Sequence, residues 1–327
     1  MTVTSARVFV LLVLWSCASF GSVAAFSQAR VFEFSYHVLA PQLPTGEPVD
    51  IYIPLPADHP GQRVLEENLS ANLPGEIGIE ERHGNRFYRI RRPANINAPV
   101  EATLRWTVAR STLTSGNTTG SSETELARYL APNALVPVGH EILQPILAEV
   151  RSSRKNDSPE ATARAIYDWV VDNVEYKKVG AGWGNGDTFW ACNERYGNCT
   201  DFHSLFISLA RSEGIPARFE IGFPVPLDRS EGEISGYHCW VQFYLPGRGW
   251  VPIDASEAAK HPQQRELLYG THPADRILFS MGRDLVLSPG TDAMPLNYFI
   301  YPHVELGGKP WRVELQTAFS YREVAAG

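Results

Sequence analysis

The hydrophobic period of this chain changes twice, and that order restricts its fold more than any other feature. Segments 31–38 (VFEFSYHV), 49–55 (VDIYIPL) and 100–108 alternate apolar and polar residues, the mark of half-buried strands. Segments 75–81 and 86–90 flank a His83-Gly84-Asn85 turn and predict a hairpin. Short strands with regular turns from 27 to about 112 predict a small β-sandwich. A Ser/Thr/Gly-rich linker at 112–122 follows, and the period lengthens to that of a helix. One helix is predicted at 141–150. Ser158, Pro159 and Glu160 start a second with an N-cap, a first-turn proline and an early acid. Its apolar face is Ala163, Ile166, Tyr167, Val170, Val171 and Val174. After a Gly-rich loop at 180–186, a third helix starts at Cys199, buries Phe202, Leu205, Phe206, Leu209 and Ala210, and ends near Gly214. Strands return at 216–222, and at 237–245 and 249–253 as a hairpin over Pro246-Gly247-Arg248. Further strands are expected at 285–287, 298–304 and 311–319. Helices followed by antiparallel strands place the chain in the α+β class.

With 327 residues the chain has room for two domains. Its 29 basic against 36 acidic residues contain no basic block, which argues against a nucleic-acid partner. Residues 1–25 read as a secretory signal: Arg7, an apolar run at 8–15, then small residues with cleavage after Ala24 or Ala25. The run is too short for a comfortable transmembrane helix. The alternative is a lipoprotein signal at Leu14-Trp15-Ser16-Cys17, in which Cys17 would be lipidated, although Trp15 fits poorly. Membrane attachment is expected only in that case. Either way the mature chain is expected in the periplasm or outside the cell. It then keeps Cys192, Cys199 and Cys239, an odd number in an oxidising compartment. A disulfide between Cys192 and Cys239 would leave Cys199 as the free thiol; the other reading makes both small buried hydrophobes.

Cys199 is the candidate nucleophile. At a helix N-terminus it faces unpaired N–H groups and the positive end of the dipole, and both favour thiolate. In the 237–245 strand, His238, Trp240 and Gln242 share one face. Across the hairpin, Trp250, Pro252 and Asp254 share a face. A tight turn pairs 244 with about 250, which sets Asp254 opposite about 240 and diagonal to His238. The roles that follow are Cys199 as nucleophile, His238 as proton carrier and Asp254 as the group that orients the imidazole. The Cys199 backbone N–H is the safest oxyanion donor, with Trp183, Trp190 and Trp240 as further substrate or oxyanion candidates. Asp201, in the first helical turn, reads as structural, and His203, one turn after Cys199, as helix packing rather than the base. Cys192, Cys199, His203, His238 and Cys239 lack CxxC spacing for zinc, and no EF-hand loop is present, so neither metal nor cofactor is expected.

Three blocks carry a family resemblance: ARAIYDWVVDNVEY (163–176), YGNCTDFHSLFISLARSEGIPARFEIGF (196–223) and GYHCWVQFYLPGRGWVPIDAS (236–256). In this order they resemble the transglutaminase-like superfamily, in its exported bacterial, cysteine-protease-like branch. The resemblance implies a papain-like α+β core with Cys199 on a helix packed against a sheet bearing His238 and Asp254. It also implies a thiol enzyme acting on amide or peptide bonds through a thioester, as a peptidase or amidase slightly ahead of a transamidase. Several superfamily members have lost these residues and act as scaffolds, so a non-catalytic binding or scaffold protein is the alternative. The layout expected is a signal at 1–25, a β-rich domain at 26–115, the core at 120–270 and a β-rich C-terminal extension at 271–327. The partner expected is a protein or peptide substrate, with the cell envelope as one setting.

Overall fold

The computed structural model describes residues 29–116, 121–288 and 295–324. The expected export signal with Cys17, and residues 117–120 of the linker, lie outside them. Among the described residues no helix is long and apolar enough to cross a membrane.

Two five-stranded antiparallel sheets build the sandwich. One runs, in spatial order, Glu231–Glu233, Gln316–Glu323, Arg30–Ala40, Val100–Arg110 and Gln62–Ala71. The other runs Lys309–Pro310, His303–Leu306, Val49–Leu55, Arg86–Arg92 and Gly75–Ile79. The alternating segments make these strands because every second side chain enters the core: Phe32, Phe34, Tyr36, Val38 and Ala40 are all buried. The chain's last strands are not a separate layer. Those at 303–306 and 316–323 pair with the first strands of the sequence, Val49–Leu55 and Arg30–Ala40.

A four-stranded antiparallel sheet forms the second part, in the order Gly249–Ile253, His238–Leu245, Ala217–Pro224 and Arg276–Met281. The helix Cys199–Ser212 packs on it, and Pro159–Asn173 packs on that helix. Both helices start as the sequence requires. The Ser158 side chain accepts from the Ala161 N–H, with Pro159 at the first position. After Ser212, Gly214 adopts φ +75°, the left-handed conformation that ends a helix cheaply only at glycine. The two parts share one core: Phe223 from the four-stranded sheet lies 5.3 Å from Phe34 and 4.3 Å from Phe319 of the sandwich, ring centroid to ring centroid.

Candidate active site

The start of the Cys199 helix is fixed by two side chains. Asn198 is the N-cap, its Oδ1 accepting from Thr200 N at 2.9 Å, and Asp201 returns to the Asn198 N–H at 2.9 Å. Asp201 is buried and also accepts from the N–H groups of Gly184 (2.7 Å) and Gly186 (3.0 Å), so it ties the Gly-rich loop to the helix start. Burial pushes its carboxyl above the usual range, and these N–H groups pull against that. Gly197 is needed here, because a Cβ would meet Asp201 Oδ2 at 2.2 Å.

The hairpin register puts Tyr244 opposite Trp250 and Gln242 opposite Pro252, as the turn length requires. His238 therefore opens one strand while Asp254 lies just past the end of its partner. His238 Nε2 is 2.7 Å from Asp254 Oδ2. With Nε2 committed to Asp254, Nδ1 is the ring nitrogen left for Cys199, whose charge also favours the protonated imidazole. Cys199 is 2% exposed and Asp254 fully buried, so these contacts act with little solvent screening. Burial alone would push the Cys199 thiol up; hydrogen bonds from Cys239 and His238, with the His238 charge, overcome it and hold the thiol well below its ordinary value. Burial would likewise push His238 down, but the Asp254 carboxylate outweighs it and raises the imidazole. Asp254 is itself held well below the carboxylate range, burial being overcome by His238 and Arg276.

Four donors surround the Asp254 carboxylate. Oδ2 accepts from His238 and from Arg276 Nη1 at 2.9 Å, and Oδ1 accepts from Ser256 Oγ at 3.1 Å and Glu257 N at 3.0 Å. The Glu257 bond makes Asp254 the N-cap of the short helix Ala255–Lys260. Arg276 escapes sequence reading. It is 2% exposed, bonds Asp275 at 2.9 Å, and lies 5.0 Å from the ring of Trp240, which in turn flanks His238 at 5.8 Å.

Cys199, His238 and Asp254 lie within a segment that matches a known family: the model described as the transglutaminase-like superfamily covers residues 147–255. An uncharacterized Haemophilus influenzae protein is 32% identical over 188 residues, 48% of this chain and 51% of its own length. The uncharacterized Bacillus subtilis protein YebA is 32% identical over 79 residues, 21% of this chain and 11% of its own. The chain thus spans about half the first relative and about a tenth of the second. The crystal structure of a candidate cysteine protease from Cytophaga hutchinsonii is 20% identical with a TM-score of 0.61, covering 92% of this chain and 93% of that one. That likeness is one of fold, and it covers both parts of the molecule.

The other sequence candidates lie as follows. Each tryptophan commits its indole N–H: Trp183 to the Gly180 carbonyl, Trp190 to the Tyr196 carbonyl, and Trp240 to the buried Glu220 at 2.6 Å. Of the two readings open for Cys192 and Cys239, the disulfide is not formed; both are buried free thiols. Cys239 is buried with its sulfur 3.4 Å from His203 Nδ1, whereas Cys192 sits on the helix Thr188–Glu194, its thiol pushed up to about 11 by burial. His203 does more than pack the helix. Its Nδ1 is 3.4 Å from Cys239 Sγ and its Nε2 is 3.6 Å from Asp254 Oδ1. Burial pushes it down to about 3, so it is neutral near pH 7.

Proposed function

We propose that this chain is an exported thiol enzyme that cleaves or transfers amide or peptide acyl groups with Cys199, His238 and Asp254. The observation that carries this reading is the buried chain of contacts from the Cys199 sulfur through the imidazole to a carboxylate 2.7 Å away. With the thiol held down and the imidazole held up, thiolate and imidazolium coexist near neutral pH.

In the reaction proposed, the Cys199 thiolate attacks the substrate carbonyl carbon. The developing oxyanion faces the Cys199 backbone N–H, at a helix position with no intrahelical acceptor. Collapse expels the amine, which takes the proton held on His238, and leaves a thioester on Cys199. His238, now neutral, removes a proton from water or from an acceptor amine, which attacks the thioester and releases the acid or a new amide. Asp254 keeps Nε2 as the donor edge of the ring throughout, so Nδ1 faces the sulfur. Hydrolysis is the default because water is the abundant acceptor. Protein or peptide substrates follow from the amide chemistry and the expected export.

The test compares the protein with Cys199→Ala, using an iodoacetamide probe and a library of peptides and glutamine donors with and without amines. Loss of turnover and of labelling at Cys199 is expected. Labelling concentrated on Cys192 would overturn the assignment, since burial makes that thiol the poorer nucleophile.

A further inference from the structure

Glu220 is a buried carboxylate that this chemistry leaves unused. It is 1% exposed and stands directly across from Trp240 in the pairing of the strands Ala217–Pro224 and His238–Leu245. Its Oε2 accepts from the Trp240 indole N–H at 2.6 Å, and its Oε1 accepts from Gln242 Nε2 at 2.7 Å and from Arg218 Nε at 3.1 Å. Burial pushes the carboxyl up, but the basic groups around it, His59 and Arg218 foremost, and the Gln242 bond outweigh that and hold it down to about 2. Glu220 is therefore an anion near neutral pH. An indole has a single N–H, so a charged acceptor on it fixes the plane of the ring as well as its place. Other groups sit against that buried ring. The Arg276 guanidinium lies over it at 5.0 Å, the His238 ring is 5.8 Å away, and His272 meets it edge-on at 6.0 Å. His272 is itself pinned, its Nε2 donating to the Ile253 carbonyl at 3.0 Å. Arg276 and His238, the two side chains on Asp254 Oδ2, thus both lie within the roughly 6 Å over which an aromatic face attracts a cation.

We propose that Glu220 is a positioning residue for the Cys199–His238 pair and acts through Trp240, holding the indole so that the ring stabilises the His238 imidazolium. This rests on Cys199 being the nucleophile and His238 its proton carrier. The carboxylate does more than aim the ring: its pull on the N–H makes the indole more electron-rich and so a better partner for a cation. The charged and titratable groups on either side are these. Around Glu220 stand His59, with Nε2 3.4 Å from Oε1, and Arg218, which also reaches Glu125 at 3.7 Å. Around His238 stand Asp254, Glu257 at 3.9 Å, and the neutral His203 at 6.5 Å, ring to ring. Among the described residues no hydrogen bond or ion pair joins Glu220 to His238; Trp240 is the group that touches both.

The experiment follows alkylation of Cys199 by iodoacetamide against pH, with the modified residue located by peptide mass, in Glu220→Gln, Trp240→Leu and the double variant. A desolvated cation–aromatic contact is worth enough to move a titration by about one unit. Trp240→Leu is therefore expected to raise the Cys199 titration by about one unit, with about tenfold slower alkylation on the acid side. Glu220→Gln leaves the indole an acceptor but removes the charge, and a rise of about half a unit, about threefold in rate, is expected. The double variant is expected to match Trp240→Leu alone, because Glu220 then has nothing to act through. Loss of packing alone would lower the urea midpoint without moving the alkylation curve. A Glu220→Gln shift that persists undiminished beside Trp240→Leu shows direct action on His238 and overturns the proposal. Unmoved curves in both single variants, with Cys199 low in the unaltered protein, also overturn it and leave the nucleophile reading standing. A Cys199 that titrates at about 8.5 in the unaltered protein overturns both. If Trp240→Leu does not fold, Trp240→Phe, which keeps a ring but loses the N–H, takes its place in the cycle. The Glu220→Gln shift is expected to vanish in that background, and its persistence overturns the proposal.

Discussion

Asp254→Asn separates charge from shape at the centre of the site. All four partners of the carboxylate are donors: His238 and Arg276 on Oδ2, Ser256 and Glu257 N on Oδ1. An amide has one accepting oxygen, so whichever way Asn lies, one pair of donors faces its NH2. Asn is as good an N-cap as Asp, so the oxygen is expected to stay with Glu257 and the NH2 to face His238 and Arg276. Removing one member of a buried ion pair typically costs about 3–5 kcal/mol. Arg276 keeps Asp275 at 2.9 Å, which puts the loss at the low end, about 3 kcal/mol. His238 also loses the carboxylate that raises it, a loss worth about 1–3 units. A less stable imidazolium makes a less stable thiolate, so the Cys199 titration rises while that of His238 falls. Urea unfolding measures the first effect and pH-dependent alkylation of Cys199 the second. The expected result is a lower midpoint with an unchanged slope, and at least about tenfold slower alkylation near pH 6. A destabilised protein with an unaltered alkylation curve would refute the electrostatic argument, because Asp254 would then serve the fold alone.

Two further predictions concern the scaffold. His203 and His272 are buried and the His59 side chain is largely covered, and the three are pushed down to about 3, 3 and 4, desolvation being the main cause in each. The folded protein leaves them neutral while the unfolded chain protonates below about 6.5, so their contribution is full above that pH and lost as pH falls toward the folded values, each at up to about 1.4 kcal/mol per unit. The urea midpoint is expected to drop from pH 7 to pH 5, and an unchanged midpoint contradicts this. In Gly222→Ala the new Cβ would meet the Ile277 carbonyl oxygen at 1.8 Å, a backbone atom that cannot move without the strand bearing Arg276. A loss of several kcal/mol is expected, with slower Cys199 alkylation in any folded fraction; wild-type stability would show that this strand is free to shift.

Local pattern carried much of the site, because the features involved are short-range. The N-cap at Asn198, the Gly214 stop and the three-residue turn at 246–248 each act within a few residues of what they position. Arg276 was not legible for the opposite reason. In ADRILFS it looks like any charged residue beside a strand, and its partner is 22 residues away on another element. For Cys239 the sequence left two readings open, and the structure shows the buried free thiol, because whether two distant cysteines meet is set by tertiary packing rather than by local pattern. The strand Gln62–Ala71 escaped because a bulge between Val64 and Glu66 breaks its period. The placement of 303–306 and 316–323 in the first sheets depends on pairings more than 200 residues apart, which no local pattern encodes.

The charges explain why these residues are needed together. In water a cysteine near 8.5 and a histidine near 6.5 favour the neutral pair by about 2 units, about 2.7 kcal/mol. A thiolate–imidazolium pair requires the surroundings to supply more than that. The helix N-terminus offers about 0.3–1 kcal/mol, and up to about 2 when partly buried. Hydrogen bonds to the thiolate offer about 1.5–3 kcal/mol, and the carboxylate 2.7 Å from the imidazole about 1–3 units. Burial works against both ions, so no single contribution is sufficient. The permanent charges favour the transfer as well. Arg276 with Asp254 and Asp275 is one cation against two carboxylates, an excess negative charge in which Asp254 and Arg276 are buried and Asp275 is partly exposed. A proton moved from Cys199 to His238 sets a cation beside that excess and leaves the anion at the helix start, under the Cys239 N–H. The net charge of the cluster does not change, so the transfer costs no further burial of net charge. Removing any one of the cap, the donors or the carboxylate should therefore return the pair toward neutral rather than merely weaken it.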